Sequence, residues 1–133
     1  MNNRTFKFRI WSIILDSWLR VKEAKFLLDG TIEFEDREGA FWMDENENVI
    51  QQFTGLKDKN GRDIYEGDIV WFRREVRGQF YVANSAVIFA EGKFGIVLNG
   101  FNDLFVPLDY DNDRTEVLGN IYQNPELLER AAD

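Results

Sequence analysis

Residues 6–11 alternate, with Phe6, Phe8 and Ile10 on one face and Lys7, Arg9 and Trp11 on the other. That period of two predicts a half-buried strand. Ser12 to Leu15 carry the apolar run onward until Asp16-Ser17 interrupts it. From Trp18 to Leu28 the pattern leaves two readings open: a poor helical stripe of Trp18, Val21, Lys25 and Leu28, or short strands. Asp29-Gly30 is a turn signal before the alternating run Thr31-Ile32-Glu33-Phe34-Glu35, which predicts a strand. A charged loop over 36–39, a short apolar segment over 40–43 and a polar turn over 44–48 follow, and Val49 to Phe53 lead into the middle of the chain.

The middle, Thr54 to Val70, packs two turn signals and a strand start into one stretch. Asn60-Gly61 predicts a type I′ hairpin turn, because both residues tolerate the positive φ it requires. Asp58 and Asp63 flank it with short side chains that can bond to the local backbone. Glu66-Gly67-Asp68 forms a second turn, and Ile69-Val70-Trp71-Phe72 opens a β-branched and aromatic strand. Gly55 and Gly61 do not have phosphate-loop spacing, and Arg62 stands where that motif needs Lys-Ser/Thr.

The second half reads as a series of strands separated by glycine turns. Asp68 to Arg77 end at Gly78. Phe80-Tyr81 and Ser85 to Ala90 precede the turn at Glu91-Gly92, and Lys93 to Leu98 precede Asn99-Gly100. Leu104 to Leu108 and Glu116 to Tyr122 complete the set. Several strands in so short a span predict a small closed barrel, since closure removes exposed edges. Ile69 and Trp71 against Val70 and Phe72 make that strand apolar on both faces, so its outer face needs a cover: the N-terminal lobe or another copy of the chain. The tail predicts a short helix, with Asn124 as N-cap, Pro125 at the first position and Glu126 near the positive end of the dipole. The expected fold is therefore mainly β: an N-terminal β lobe over 1–53 packed on a small barrel lobe over 54–133 that ends in a short helix.

Composition narrows the chemistry. The chain has 133 residues, 44% of them hydrophobic and 15% aromatic, which argues against disorder. It contains no cysteine and no histidine, which removes thiolate nucleophiles, disulfides, the commonest general base and the commonest metal ligands. A non-enzymatic protein without cofactor is the expectation. No run of eighteen apolar residues is present, so no membrane span is expected. Its start goes straight into strand-like residues rather than a signal peptide, and cytoplasmic location follows. The net charge of −8 disfavours a phosphate backbone as general partner. Residues 1–30 nonetheless hold six Lys/Arg against three Asp/Glu, and Arg4, Lys7, Arg9, Arg20, Lys22 and Lys25 could form a basic face, although residues of this kind are usually only solvated.

Other signals have a structural reading beside the functional one. Asp109-Tyr110-Asp111-Asn112-Asp113 resembles the front of a calcium loop, but Arg114 stands at the glycine position and Asn120 at the closing glutamate position. An acidic turn explains it, as it does the group at 44–47. Asp58, Asp63, Glu66 and Asp68 would hold Mg²⁺ only if the fold gathered them, and Asp68 is better placed to bond backbone amides. Tyr65 and Trp71 form either a recognition platform or core. Arg9 beside Trp11 forms either an anion or stacking site or an internal contact. The candidate binding residues are Lys57, Asp58, Lys59 and Arg62 at the hairpin tip, together with Arg9 and Trp11.

Three segments resemble the YopX family of small proteins encoded by bacteriophages and prophages: Phe8-Arg9-Ile10-Trp11, the run Thr54 to Val70, and Val117 to Leu128 with its Leu118-Gly119-Asn120-Ile121-Tyr122 core. Ser12-Ile13-Ile14-Leu15 departs from the pattern, being apolar where relatives are charged. The resemblance implies an SH3-like barrel in the C-terminal half, a phage or prophage origin and a cytoplasmic setting. It implies no activity, so no catalytic residue is carried over. The function expected is a phage accessory protein that binds a host or phage protein, with homo-oligomerisation as one form of that binding. Nucleic-acid association through the barrel and a carboxylate-metal hydrolase are the alternatives.

Overall fold

The computed structural model describes residues 6–39, 41–43, 48–98, 104–108 and 115–128. Asn99-Gly100, the acidic runs at 44–47 and 109–113, and Arg4 lie outside them. The chain divides into two compact units, one of Lys7–Gln52 and one carrying Phe53–Asp133.

In the first unit β1 (Phe8–Ser12) pairs antiparallel with β2 (Ser17–Trp18), joined by a turn in which Asp16 has φ 52°. The segment that the sequence left open becomes β3 (Val21–Phe26), paired with β4 (Ile32–Asp36), which pairs in turn with β5 (Phe41–Met43). Strand wins over helix here because Phe34 and Asp36 of β4 are buried at alternate positions, a period a helical neighbour would not match. Ile10, Trp11 and Phe34 are the buried apolar side chains of this unit.

β6 (Asn48–Lys57) starts beside β1 and runs on into the second unit, where it pairs with β7 (Asp63–Tyr65). Gly55 (φ 89°) breaks that ladder, and the Thr54 hydroxyl closes the gap by donating to the Ile64 carbonyl at 2.8 Å. β8 (Asp68–Val76) lies between β9 (Gln79–Ala86) and β13 (Thr115–Asn120). A second sheet holds β10 (Ile88–Ala90), β11 (Lys93–Leu98) and β12 (Leu104–Pro107). The Ser85 hydroxyl on β9 donates to the Val97 carbonyl of β11 at 3.2 Å and accepts from the Val97 amide at 3.3 Å, so one hydroxyl bridges the two sheets. Ile64, Val70, Phe72, Val87, Ile96, Val106 and Val117 form the core. The protein is mainly β, and these two curled sheets are compatible with an SH3-like barrel.

The turns differ from the sequence expectation in one instructive way. Type I′ geometry, with two consecutive positive φ angles, occurs at Arg77-Gly78 (52° and 78°) and Glu91-Gly92 (53° and 77°). Asn60-Gly61 does not adopt it: Gly61 alone has positive φ, and the Asp58 amide bonds the Arg62 carbonyl at 2.8 Å across a longer connection. The Asp58 carboxylate accepts the Asn60 and Arg62 amides, each at 2.9 Å, and so holds the loop in a wider turn than two residues would give.

The outer face of β8 also finds a cover within its own unit. Ile69 is fully buried, and the tail lies over this face, with Asn84 Nδ2 donating to the Leu127 carbonyl at 3.3 Å. The tail helix is a single 3-10 turn over Pro125–Leu128. Asn124 does not cap it through its side chain, which instead accepts the Asn120 amide at 3.3 Å and packs over Gly119.

Gly95 on β11 tests the packing against a neighbouring strand's backbone. A Cβ there would meet the Val106 carbonyl oxygen at 2.5 Å and the Phe105 ring at 2.6 Å. Gly95→Ala is expected to cost about 2 kcal/mol, in the range of overpacking, in urea unfolding. Gly92→Ala, with open space around it, should cost only about 1 kcal/mol from backbone strain. Equal effects at both positions would contradict this packing.

Candidate functional site

The hairpin tip that the sequence singled out folds back onto β13. The Lys59 amide donates to the Thr115 carbonyl at 3.0 Å, the Val117 amide donates to Asp58 Oδ2 at 2.9 Å, and Arg62 Nη1 donates to the Val117 carbonyl at 3.3 Å. β13 is the outer strand of its sheet. Its outward backbone groups are thus satisfied by one turn and two side chains rather than by a neighbouring strand. A bulge between Val117 and Gly119 lies at the same place.

Asp58 is the centre of this contact and is fully buried. Burial alone would push its carboxyl up. The amides of Val117, Arg62 and Asn60, with the Arg62 guanidinium, outweigh that and hold it below the usual carboxylate range. Its place is therefore in the scaffold of the hairpin, not at a surface open to a partner. Lys59 pairs with Glu116 at 3.3 Å and stands 5.2 Å from the Trp71 ring centre, while Asn60 Nδ2 reaches Glu116 Oε1 at 3.4 Å. Lys57 pairs with Asp63 at 3.0 Å across the β6–β7 ladder. Of the four tip candidates Asp58 alone is buried, and Lys57, Lys59 and Arg62 remain exposed.

Asp68 bonds backbone as the sequence suggested, accepting the Tyr65 amide at 2.8 Å across the Gly67 turn. With Asp58 and Asp68 both turned onto amides, the four carboxylates named for Mg²⁺ are not gathered. Among the described residues, no group of three or more Asp, Glu, His or Cys could hold an ion. Of the two aromatics, Tyr65 packs tilted against Phe53, with ring centres 5.7 Å apart, and Trp71 lies beneath Lys59.

Arg9 and Trp11 do share a face, as their alternation predicted. Trp11 is buried edge-on to Trp18, with ring centres 5.0 Å apart. Arg9 lies 4.4 Å over the same Trp18 ring and donates from Nε to Gln51 Oε1 at 2.9 Å. The guanidinium is held by internal partners on both counts.

Two features escaped the sequence reading. The first is a cleft of about 170 Å³ on the β3–β4 pair, lined by Glu23, Lys25, Glu33, Phe34 and Glu35. Strand pairing sets Glu23 opposite Glu35 and Lys25 opposite Glu33. With the first residue range unresolved between helix and strand, those pairs had no readable partner. The second is the exposure of two apolar hairpin turns, of which the sequence showed only that Ser12 to Leu15 are apolar. Ile13, Ile14 and Leu15 between β1 and β2 are 51%, 64% and 55% exposed, and Leu28 between β3 and β4 is fully exposed.

Fold and hairpin together define a small mainly β protein in which a middle hairpin closes the edge of its own C-terminal sheet. Within that class the chain belongs to the YopX protein family, whose pattern matches residues 7–129. It is similar to the crystal structure of protein EF1440 from Enterococcus faecalis, at 28% identity over 95% of this chain and 99% of that one, with a TM-score of 0.62. It is also similar to protein YopX from Bacillus subtilis, at 19% identity over 91% of this chain and 96% of that one, with a TM-score of 0.61. The latter likeness bears on the fold alone. Among curated proteins none matches.

Removing the Asp58 carboxylate should unpin the hairpin from β13. Asp58→Asn is expected to lose about 3 kcal/mol at neutral pH, the range for charged, buried hydrogen bonds. Because the folded-state pKa is depressed, this contribution is present above the unfolded value of about 3.9 and fades as pH falls through the folded value. The stability gap between the native chain and Asp58→Asn should therefore narrow as urea titrations move from neutral to acid pH. A gap that stays constant across that range would mean the charge is not what holds the turn.

Proposed function

We propose that this YopX-family chain is a non-enzymatic accessory protein of phage or prophage origin that works in the cytoplasm by binding another protein. The observation that carries this reading is the pair of apolar hairpin turns in the first unit. Turns face water, and their residues are ordinarily polar. Here Ile13-Ile14-Leu15 presents three consecutive exposed aliphatic side chains, and Phe26, Leu27 and Leu28 present one aromatic and two aliphatic ones. Phe26 also lies 5.2 Å, centre to centre, from the Phe8 ring, which extends that second group. Apolar surface of this kind costs solubility unless something covers it.

The residue types support the same reading. The chain has no His or Cys, and the carboxylates best placed in its central motif are turned onto backbone amides. No described helix is long and apolar enough to cross a membrane. A net charge of −8 and an Arg9 already engaged by Gln51 and Trp18 weigh against the nucleic-acid alternative.

The test is a tagged pull-down from a nuclease-treated host lysate, run beside the Ile14→Asp and Leu28→Asp variants after each is shown to melt as the parent does. A stoichiometric protein held by the parent and lost from a variant is the expected result. Partners released by nuclease would replace this reading with the nucleic-acid one. Equal capture by parent and variants would remove the apolar turns from it.

A further inference from the structure

β8 and β9 extend beyond the described part of β13. That part pairs with β8 as far as Phe72, opposite Thr115. The rungs Arg73↔Val82, Arg74↔Tyr81, Glu75↔Phe80 and Val76↔Gln79 continue as a two-stranded ribbon closed by the Arg77-Gly78 turn. Among the described residues no third strand pairs with these rungs. Four rungs at about 3.3 Å each make an arm roughly 13 Å long.

The charge of this arm is opposite to that of the rest of the chain. Residues 73–80 hold three arginines and one glutamate, a net of +2 in a chain whose total is −8. Arg73, Glu75, Arg77 and Phe80 are all exposed. The Arg73 guanidinium lies 4.1 Å over the Phe80 ring, so one exposed aromatic and one exposed cation are held as a unit. Arginine and aromatic side chains are the types that dominate protein interfaces.

The β3–β4 cleft has the complementary make-up. Three of its lining residues are glutamates and one is a lysine, while Phe34, between Glu33 and Glu35 on β4, buries its side chain on the other face of the strand pair. Lys25 stands opposite Glu33, but Glu23 stands opposite Glu35, and like charges facing each other across a ladder destabilise it. The cleft therefore gains from an added cation, and a guanidinium can bridge two carboxylates through its fork of donors.

We propose that the Arg73–Phe80 arm of one copy docks in the Glu23–Glu33–Glu35 cleft of a second copy, so that the chain self-associates. The proposal rests on the reading of this chain as a protein-binding module and names one of its partners. Arg73 and Arg77 would meet the carboxylates of the cleft, with Phe80 carried in beside Arg73. Contacts of this kind set specificity and salt dependence more than raw affinity, so the association is strongest at low ionic strength.

The experiment is sedimentation velocity on the full chain and on two charge-reversed variants, each first shown to melt as the parent does. One carries Arg73→Glu with Arg77→Glu, the other Glu33→Lys with Glu35→Lys. The parent should sediment above its 15.7 kDa monomer mass at about 0.01 M ionic strength and return to it at about 1 M. Each variant alone meets like charge with like charge and should associate about tenfold more weakly or worse. Mixing the two sets the native arm of one variant against the native cleft of the other, and the reversed arm against the reversed cleft, and should restore association. A monomeric parent at every ionic strength, a mixture that does not associate, or association indifferent to the reversals would overturn the proposal. So would reversals that lower the melting point of a monomer, which would place the arm and cleft against each other within one chain. A monomeric parent that still captures a protein through its apolar turns would refute self-association while leaving the protein-binding reading intact.

Discussion

A single buried carboxylate organises the C-terminal unit. Asp58 accepts two amides from its own turn and one from β13, and with those three bonds a loose five-residue connection becomes the cover of a strand edge. An open edge invites pairing with any other chain, and closed barrels avoid it by joining first and last strands. Here the edge of β13 is met by a turn. Its carbonyl at Thr115 takes the Lys59 amide, and its carbonyl at Val117 takes the Arg62 guanidinium. The buried charge is tolerated because all three bonds go to the ionised form, which keeps it ionised.

This explains why the central motif mixes lysines, aspartates and glycines so densely without assembling a site. Asp58 builds one turn and Asp68 builds the next, where it takes the Tyr65 amide. Lys57 and Lys59 are held by Asp63 and Glu116. Thr54 repairs the ladder that Gly55 interrupts. Residues that look like chemistry when read in a row are here consumed by backbone geometry. The surfaces proposed for a partner lie elsewhere: on the apolar turns of the first unit and on the β8–β9 arm.

Much of the fold was readable because β structure writes itself as alternation. Phe8 to Trp11, Thr31 to Glu35 and Lys93 to Leu98 showed their period and became strands close to the expected limits. Val21 to Phe26 did not, since five of its six residues are exposed and an exposed strand has no apolar period to show. Asn60-Gly61 misled for a different reason: the dipeptide favours a tight turn, but the Asp58 side chain two positions earlier competes for the same amides. The candidate Asp58 was found as a residue and misread as a surface, because burial depends on β13, which lies some sixty residues further on.

The amino-acid sequence alone determined that this is a mainly β, acidic chain without thiol or imidazole chemistry, and the three motifs that mark its family. Those are properties of composition and of local spacing, and neither needs a distant partner to be true. Only the tertiary structure decided which polar residues are spent on the fold and which are offered to solvent. It set Asp58 against Val117, Glu23 opposite Glu35, and Arg73 over Phe80. Each of those relations joins positions that chain order does not relate, through strand register and turn geometry, and register is settled only when whole faces pack.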